Sequence, residues 1–138
     1  MLTRNDLQAL AQARLDDAKV LYQSSRNSGA YYLCGYVIEL ALKACIAKHF
    51  QADAIPQKNF VLSVYTHNVE TLMSLAGLRP QFDIDVKGNA ALASAWGIVT
   101  KWNEESRYSQ WDRIAATALL NCVADTNYGV FEWIKRHW

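Results

Sequence analysis

The most apolar stretch of the chain, Ala30-Tyr-Tyr-Leu-Cys-Gly-Tyr-Val-Ile-Glu-Leu-Ala-Leu-Lys-Ala-Cys45, carries two charges in its middle, Glu39 and Lys43. An unpaired carboxylate among Ile38, Leu40 and Leu42 would cost several kcal/mol or take up a proton, so Glu39 needs a partner. Lys43 can supply one. Four residues apart on a helix, with the acid first, the two side chains meet in the favourable orientation. The other suitable cation is Arg107, in Trp102-Asn-Glu-Glu-Ser-Arg-Tyr108. A bidentate Arg107–Glu39 pair would fix how two helices meet; alternatively, the guanidinium beside Tyr108 lines a cleft where a phosphate or base could sit. His67, in Tyr65-Thr-His-Asn-Val-Glu70, reads as a helix-start residue whose ring either meets a backbone group or exchanges protons near neutral pH.

Other chemistry has little support in the spacing. His49, His67 and His137 belong to three different segments, with no Cys-x-x-Cys and no histidine pair at i, i+4, so no metal site is expected. Cys34, Cys45 and Cys122 all sit on apolar helical patterns, where a buried thiol is usually inert packing. The glycines are scattered and form no phosphate-cradling loop. Trp96, Trp102, Trp111, Trp133 and Trp138 are expected in the core or at an interface; exposure of Trp133 or Trp138 would indicate a contact surface.

Five helices are expected to position these groups. Thr3-x-x-Asp6 reads as a capping box opening a helix to about Ser25, with Leu7, Leu10, Ala11, Leu15, Ala18, Leu21 and Tyr22 at helical spacing. After Arg26-Asn-Ser-Gly29, a second helix from about Ser28 to Phe50 is apolar on nearly every face and therefore central. Residues 51–65 contain Pro56 and lose the periodicity, so they read as a loop. Thr66 is expected to cap a short helix through about Ala76, ended by Gly77 and Pro80. A linker over 78–87 then leads to a helix from about Gly88 to Asn103. The last helix starts between Ser109 and Arg113 and its apolar series runs almost to the end, with Lys135 and Arg136 suited to its negative terminus; Gly129 interrupts that series unfavourably. The expected architecture is an all-α bundle in one domain over residues 1–138, with two long antiparallel helices and a shorter set packed across them.

The bulk composition narrows the function classes. At 138 residues, 51% hydrophobic and 20% charged, the chain can bury one core without disulfides, and disorder is disfavoured. A net charge of +1 gives no broad attraction for nucleic acid, so any RNA contact requires a local patch. Cys34 and Cys45 lie about 16 Å apart on one helix, too far for a disulfide, which suits a reducing cytoplasm. Met-Leu-Thr-Arg-Asn-Asp opens without an apolar signal region, and no stretch of eighteen uncharged apolar residues occurs, so no membrane association is expected.

Three of these segments, Tyr31-Tyr-Leu-Cys-Gly-Tyr-Val-Ile-Glu-Leu-Ala-Leu-Lys-Ala44, Thr66-His67-x-x-x-x-Leu72 and Glu105-Ser-Arg-Tyr108, occur in an order that resembles the HEPN domain family, and the likeness spans about residues 5–137. The resemblance implies a compact helical bundle, often a homodimer, of the kind found in prokaryotic toxin–antitoxin pairs, phage defence and partnerships with minimal nucleotidyltransferases. Many members are metal-independent ribonucleases, and others bind nucleotides or act as non-catalytic partners. Active members place an Arg and a His four to six residues apart. Here the first histidine after Arg107 is His137, and loss of a general acid–base group typically costs a factor of ~100 to ~10,000 in rate. The expectation is a non-catalytic homodimeric module, without cofactor, whose Glu39, Lys43, Arg107 and Tyr108 line a groove for a nucleotide, RNA or a nucleotidyltransferase partner. Two rivals stand beside it: an atypical endoribonuclease using Arg107 with His67, and an interaction protein in which the polar cluster only sets helix register.

Overall fold

The computed structural model describes residues 2–138. The described residues form eight α-helices and one 3-10 turn, with no strand. Helix α1 (Arg4–Gln23) begins at the anticipated capping box: Thr3 Oγ1 accepts from the Asp6 amide at 3.1 Å while the Thr3 amide donates to Asp6 Oδ2 at 2.9 Å. Its buried residues, Leu7, Ala11, Leu15 and Ala18, form one stripe with two alanines, which lets it lie close against the next helix. Ser25, at φ 59, turns the chain back, and α2 (Asn27–Ala47) follows antiparallel to α1.

Helix α2 is the hub. Ala30, Val37, Ile38, Ala41, Leu42, Ala44 and Ile46 are all buried, and α1, α4, α7 and α8 pack around the helix. By length and composition alone it could cross a membrane, but most of its surface is already covered by the bundle. The stripe left partly open is Tyr32, Leu33, Tyr36 and Lys43, with Glu39 beneath it. Gly35 costs helix propensity of about 1 kcal/mol but opens a slot: a Cβ there would stand 2.1 Å from Cγ of Trp102, whose ring lies on the bare backbone.

The remaining elements are more finely divided than the five-helix expectation. Residues read as loop contain α3 (Lys58–Val64), a seven-residue helix with no buried residue, so no core-facing stripe betrayed it. Helix α4 (Val69–Leu75) is capped by Asn68, whose Oδ1 accepts from the Thr71 amide at 2.9 Å, rather than by Thr66. The anticipated linker holds α5 (Arg79–Lys87), where Pro80 stands in the first turn, a position that needs no donor, instead of ending a helix. Helix α6 (Ala90–Val99) is followed by the 3-10 turn (Glu104–Tyr108). Asp112 caps α7 (Arg113–Ala124), and the final apolar series breaks into α8 (Val130–Lys135). The break is built at Asp125, whose Oδ1 accepts from the amides of Asn127 and Tyr128, and at Gly129, where a Cβ would fall 2.3 Å from the Asp125 carbonyl oxygen. Trp133 is buried and donates its indole N–H to Asp85 at 2.8 Å, while Trp138 packs edge-on against Phe131.

Candidate functional site

The open stripe of α2 forms the floor of the site, and two other segments wall it. Trp102 and Trp111 fix the 3-10 turn against α2. The Trp102 indole donates to the Tyr32 carbonyl at 3.1 Å, the Trp111 ring stacks on Tyr31 at 3.9 Å, and the Trp111 indole donates to the Ser106 carbonyl at 3.0 Å. Within the turn, Asn103 and Ser106 cap each other, which buries Ser106 and leaves Glu104 and Arg107 facing outward. Side chains three apart on a 3-10 helix eclipse, so these two opposite charges share one face of the turn.

Glu39, only 2% exposed, is the centre of the first half of the site. Its Oε1 receives Lys43 Nζ at 3.0 Å and His67 Nδ1 at 2.7 Å, while its Oε2 is buried without a hydrogen-bond partner among the described residues. The expected Glu39–Lys43 contact is present. Arg107, however, makes no ion pair with Glu39 or with any other carboxylate among the described residues, and the long-range partner is His67. His67 lies just ahead of the Asn68 cap, so the N-terminal end of α4, itself anchored on α2 through buried Val69, Leu72 and Met73, carries the ring over Glu39. Its other nitrogen, Nε2, is 3.2 Å from Oε2 of Glu104. The imidazole is therefore held between a buried carboxylate and a surface one. The His67 edge opens into a cleft of about 320 Å³ lined by Thr66, Asn68, Glu70, Thr100, Asn103 and Glu104.

Arg107 belongs to the second half. Its guanidinium stands 4.8 Å from the Tyr108 ring centroid, and interactions with Tyr108 first, then with Tyr32, hold it above its already high ordinary range. Tyr108 is 72% exposed. Tyr32 stacks on Tyr36 with centroids 6.2 Å apart and an interplanar angle of 14°. Burial first, and then the nearby charge of Glu39, pushes the Tyr36 hydroxyl up, which links the aromatic half to the ionic half. Tyr32, Tyr36, Glu39 and Lys43 thus succeed one another on one side of α2, with Arg107 at one end and His67 over the middle.

The four binding candidates and His67 therefore divide into two neighbouring groups: Glu39, Lys43 and His67 in one, Arg107 and Tyr108 in the other. Sequence reasoning missed Glu104, Tyr32 and Tyr36. The tyrosines were visible in principle, since 32, 36, 39 and 43 fall at successive helical spacings. Glu104 had no comparable signal, because a 3-10 turn has no apolar period. The cysteines hold no nucleophile: burial pushes the Cys34 thiol up to about 12 and the Cys45 thiol to about 11. No cluster of three metal-ligating side chains occurs among the described residues. Comparison with protein-family models, with curated proteins and with solved structures finds no match for this chain.

Proposed function

We infer that this chain is a HEPN-like helical module that binds a nucleotide or a single-stranded RNA segment along α2 without cleaving it. One observation carries the reading: Arg107 is exposed, free of any carboxylate partner among the described residues, and set against Tyr108 and Tyr32 at the end of the Tyr32–Tyr36 stack. A guanidinium without a counter-ion suits a phosphate, and adjacent aromatic faces suit bases, which stack with little regard to sequence.

A second reading, a metal-independent ribonuclease using Arg107 with His67, draws on the 2.7 Å contact between His67 and Glu39. A buried carboxylate on one ring nitrogen is the arrangement that orients an acid–base histidine. The binding reading is better supported because the cleft at His67 is lined by Glu70 and Glu104, whose charges repel a phosphodiester, and Arg107 does not line it.

Titration of a labelled single-stranded ribo-oligonucleotide, without metal and at several salt concentrations, tests both readings. Affinity should fall as salt rises, and Arg107→Ala should weaken it by about 1–3 kcal/mol with a shallower salt slope. The oligonucleotide should stay intact. Binding unchanged by Arg107→Ala would remove the first reading; cleavage abolished by His67→Ala would establish the second.

A further inference from the structure

A cavity of about 380 Å³ opens where α5, α6, α8 and the turn before α8 meet, and it shares no lining residue with the groove on α2. Three helix boundaries build it. Helix α5 ends at Gly88, Asn89 caps α6 by accepting the Leu92 amide on its Oδ1 at 3.0 Å, and the Asp125 side chain fixes the turn before α8. These boundaries place Asn89 and Asn127 in the lining, each with a side-chain amide able to donate.

Among the described residues, the charged side chains in the lining are one acid and one base, Asp85 and Arg136, and they form no ion pair with each other. Asp85 is held elsewhere. Its Oδ2 accepts from the Trp133 indole at 2.8 Å and its Oδ1 from Gln81 Nε2 at 2.8 Å. The Trp133 bond first and the Gln81 bond second keep this carboxyl below the usual carboxylate range, with nearby His137 and Arg136 adding to the effect, so it is ionised at neutral pH. A carboxylate offers about four lone-pair directions, which leaves each oxygen one for a ligand. Arg136 is exposed and pairs with no other carboxylate among the described residues.

The two charges select by exclusion. A lone anion meets Asp85 and a lone cation meets Arg136, whereas a molecule bearing both an ammonium and a carboxylate satisfies both and brings no net charge. Ile84, Leu92 and Trp133 add apolar surface. The volume lies near the lower end of the roughly 300–1,000 Å³ of small-molecule sites, which suits a ligand of amino-acid size.

We propose that this cavity binds a free α-amino acid with an aliphatic side chain, its ammonium on Asp85, its carboxylate on Arg136 and its side chain against Ile84 and Leu92. Asn89 and Asn127 supply neutral donors beside the charges. The site stands apart from oligonucleotide binding on α2, and either can fail without the other.

L-leucine titrated at neutral pH into the whole chain, labelled with nitrogen-15, should shift the Trp133 indole N–H resonance saturably, since that N–H donates to the carboxylate the ammonium engages. 4-Methylpentanoate lacks the ammonium and isoamylamine lacks the carboxylate, on the same carbon skeleton; each should bind at least about fivefold more weakly than L-leucine. Arg136→Gln, at an exposed position outside every ion pair among the described residues, should weaken L-leucine by a similar factor and leave the thermal midpoint unchanged. Asp85→Asn should weaken L-leucine yet bind 4-methylpentanoate more tightly than wild type does, a reversal that damage to the fold would not produce. An indole resonance unmoved at the solubility limit of L-leucine overturns the proposal. So does equal binding of the three probes, L-leucine affinity unchanged in Arg136→Gln, or 4-methylpentanoate bound by folded Asp85→Asn no more tightly than by wild type.

Discussion

Glu39 shows how a single charged residue can organise an apolar helix. Its carboxylate is almost sealed, yet one oxygen accepts from both Lys43 and His67. Removing one partner of a buried charge costs more than the pair contributes, because the remaining charge loses its compensation. Lys43→Met should therefore destabilise the fold by about 1–3 kcal/mol, and adding Glu39→Gln should recover part of that loss, as urea denaturation curves would show. A double variant no more stable than Lys43→Met alone would place the cost in the packing of the lysine stem. At this scale the sequence was informative about need and less so about supply. The apolar setting of Glu39 demanded a partner, and Lys43 at i+4 was evident. His67 is brought in by the docking of α4 on α2, a tertiary event that local spacing does not encode, and Arg107 went instead to tyrosines.

The elements were legible where they contribute to the core. Helix α1 announced itself through its capping box and apolar periodicity and α2 through apolar residues on nearly every face, whereas α3 buries nothing and α5 buries only Phe82. Short helices without a full inward stripe look like loops when only periodicity is read. The 3-10 turn depends on a feature of α2 that also went unread, the slot at Gly35 into which Trp102 settles. Gly35→Ala should improve helix propensity yet lower stability by about 1–3 kcal/mol, since a methyl group would overlap the indole. It should also weaken oligonucleotide binding, because displaced Trp102 would carry the Arg107 turn with it. Thermal unfolding beside the binding titration checks both outcomes, and a more stable variant would refute the slot.

Across the whole molecule, the all-α fold also leaves acid-sensitive groups where α5 meets the C-terminal residues. Asp85 is held below the usual carboxylate range, first by the Trp133 indole N–H and then by Gln81. Burial, the largest influence, pushes the His137 imidazole down, and its ring lies 4.3 Å from that of Trp133. Both folded values are depressed, so both groups favour the folded state above their unfolded values, near about 3.9 for the carboxyl and about 6.5 for the imidazole, and lose that contribution as pH falls. Acidification should loosen the α5–α8 corner, seen as a change in tryptophan fluorescence, and Asp85→Asn should blunt the part below about pH 4. The class of fold was readable from composition and the first two helices; its division into eight was not, because the break at Gly129 and the turn at Glu104–Tyr108 are made by side-chain caps rather than by hydrophobic pattern.

Because α2 is the central strut as well as the helix along which the proposed ligand would lie, that proposal leaves narrow freedom to retune ligand preference. On the side of that helix that carries Glu39, Tyr32, Tyr36 and Lys43 keep partial access to solvent, while most of their neighbours along the rod are committed to packing. Randomised libraries seeking altered selectivity should thus yield folded winners mainly at those three sites and on the two walls, and divergence among natural descendants should gather there as well.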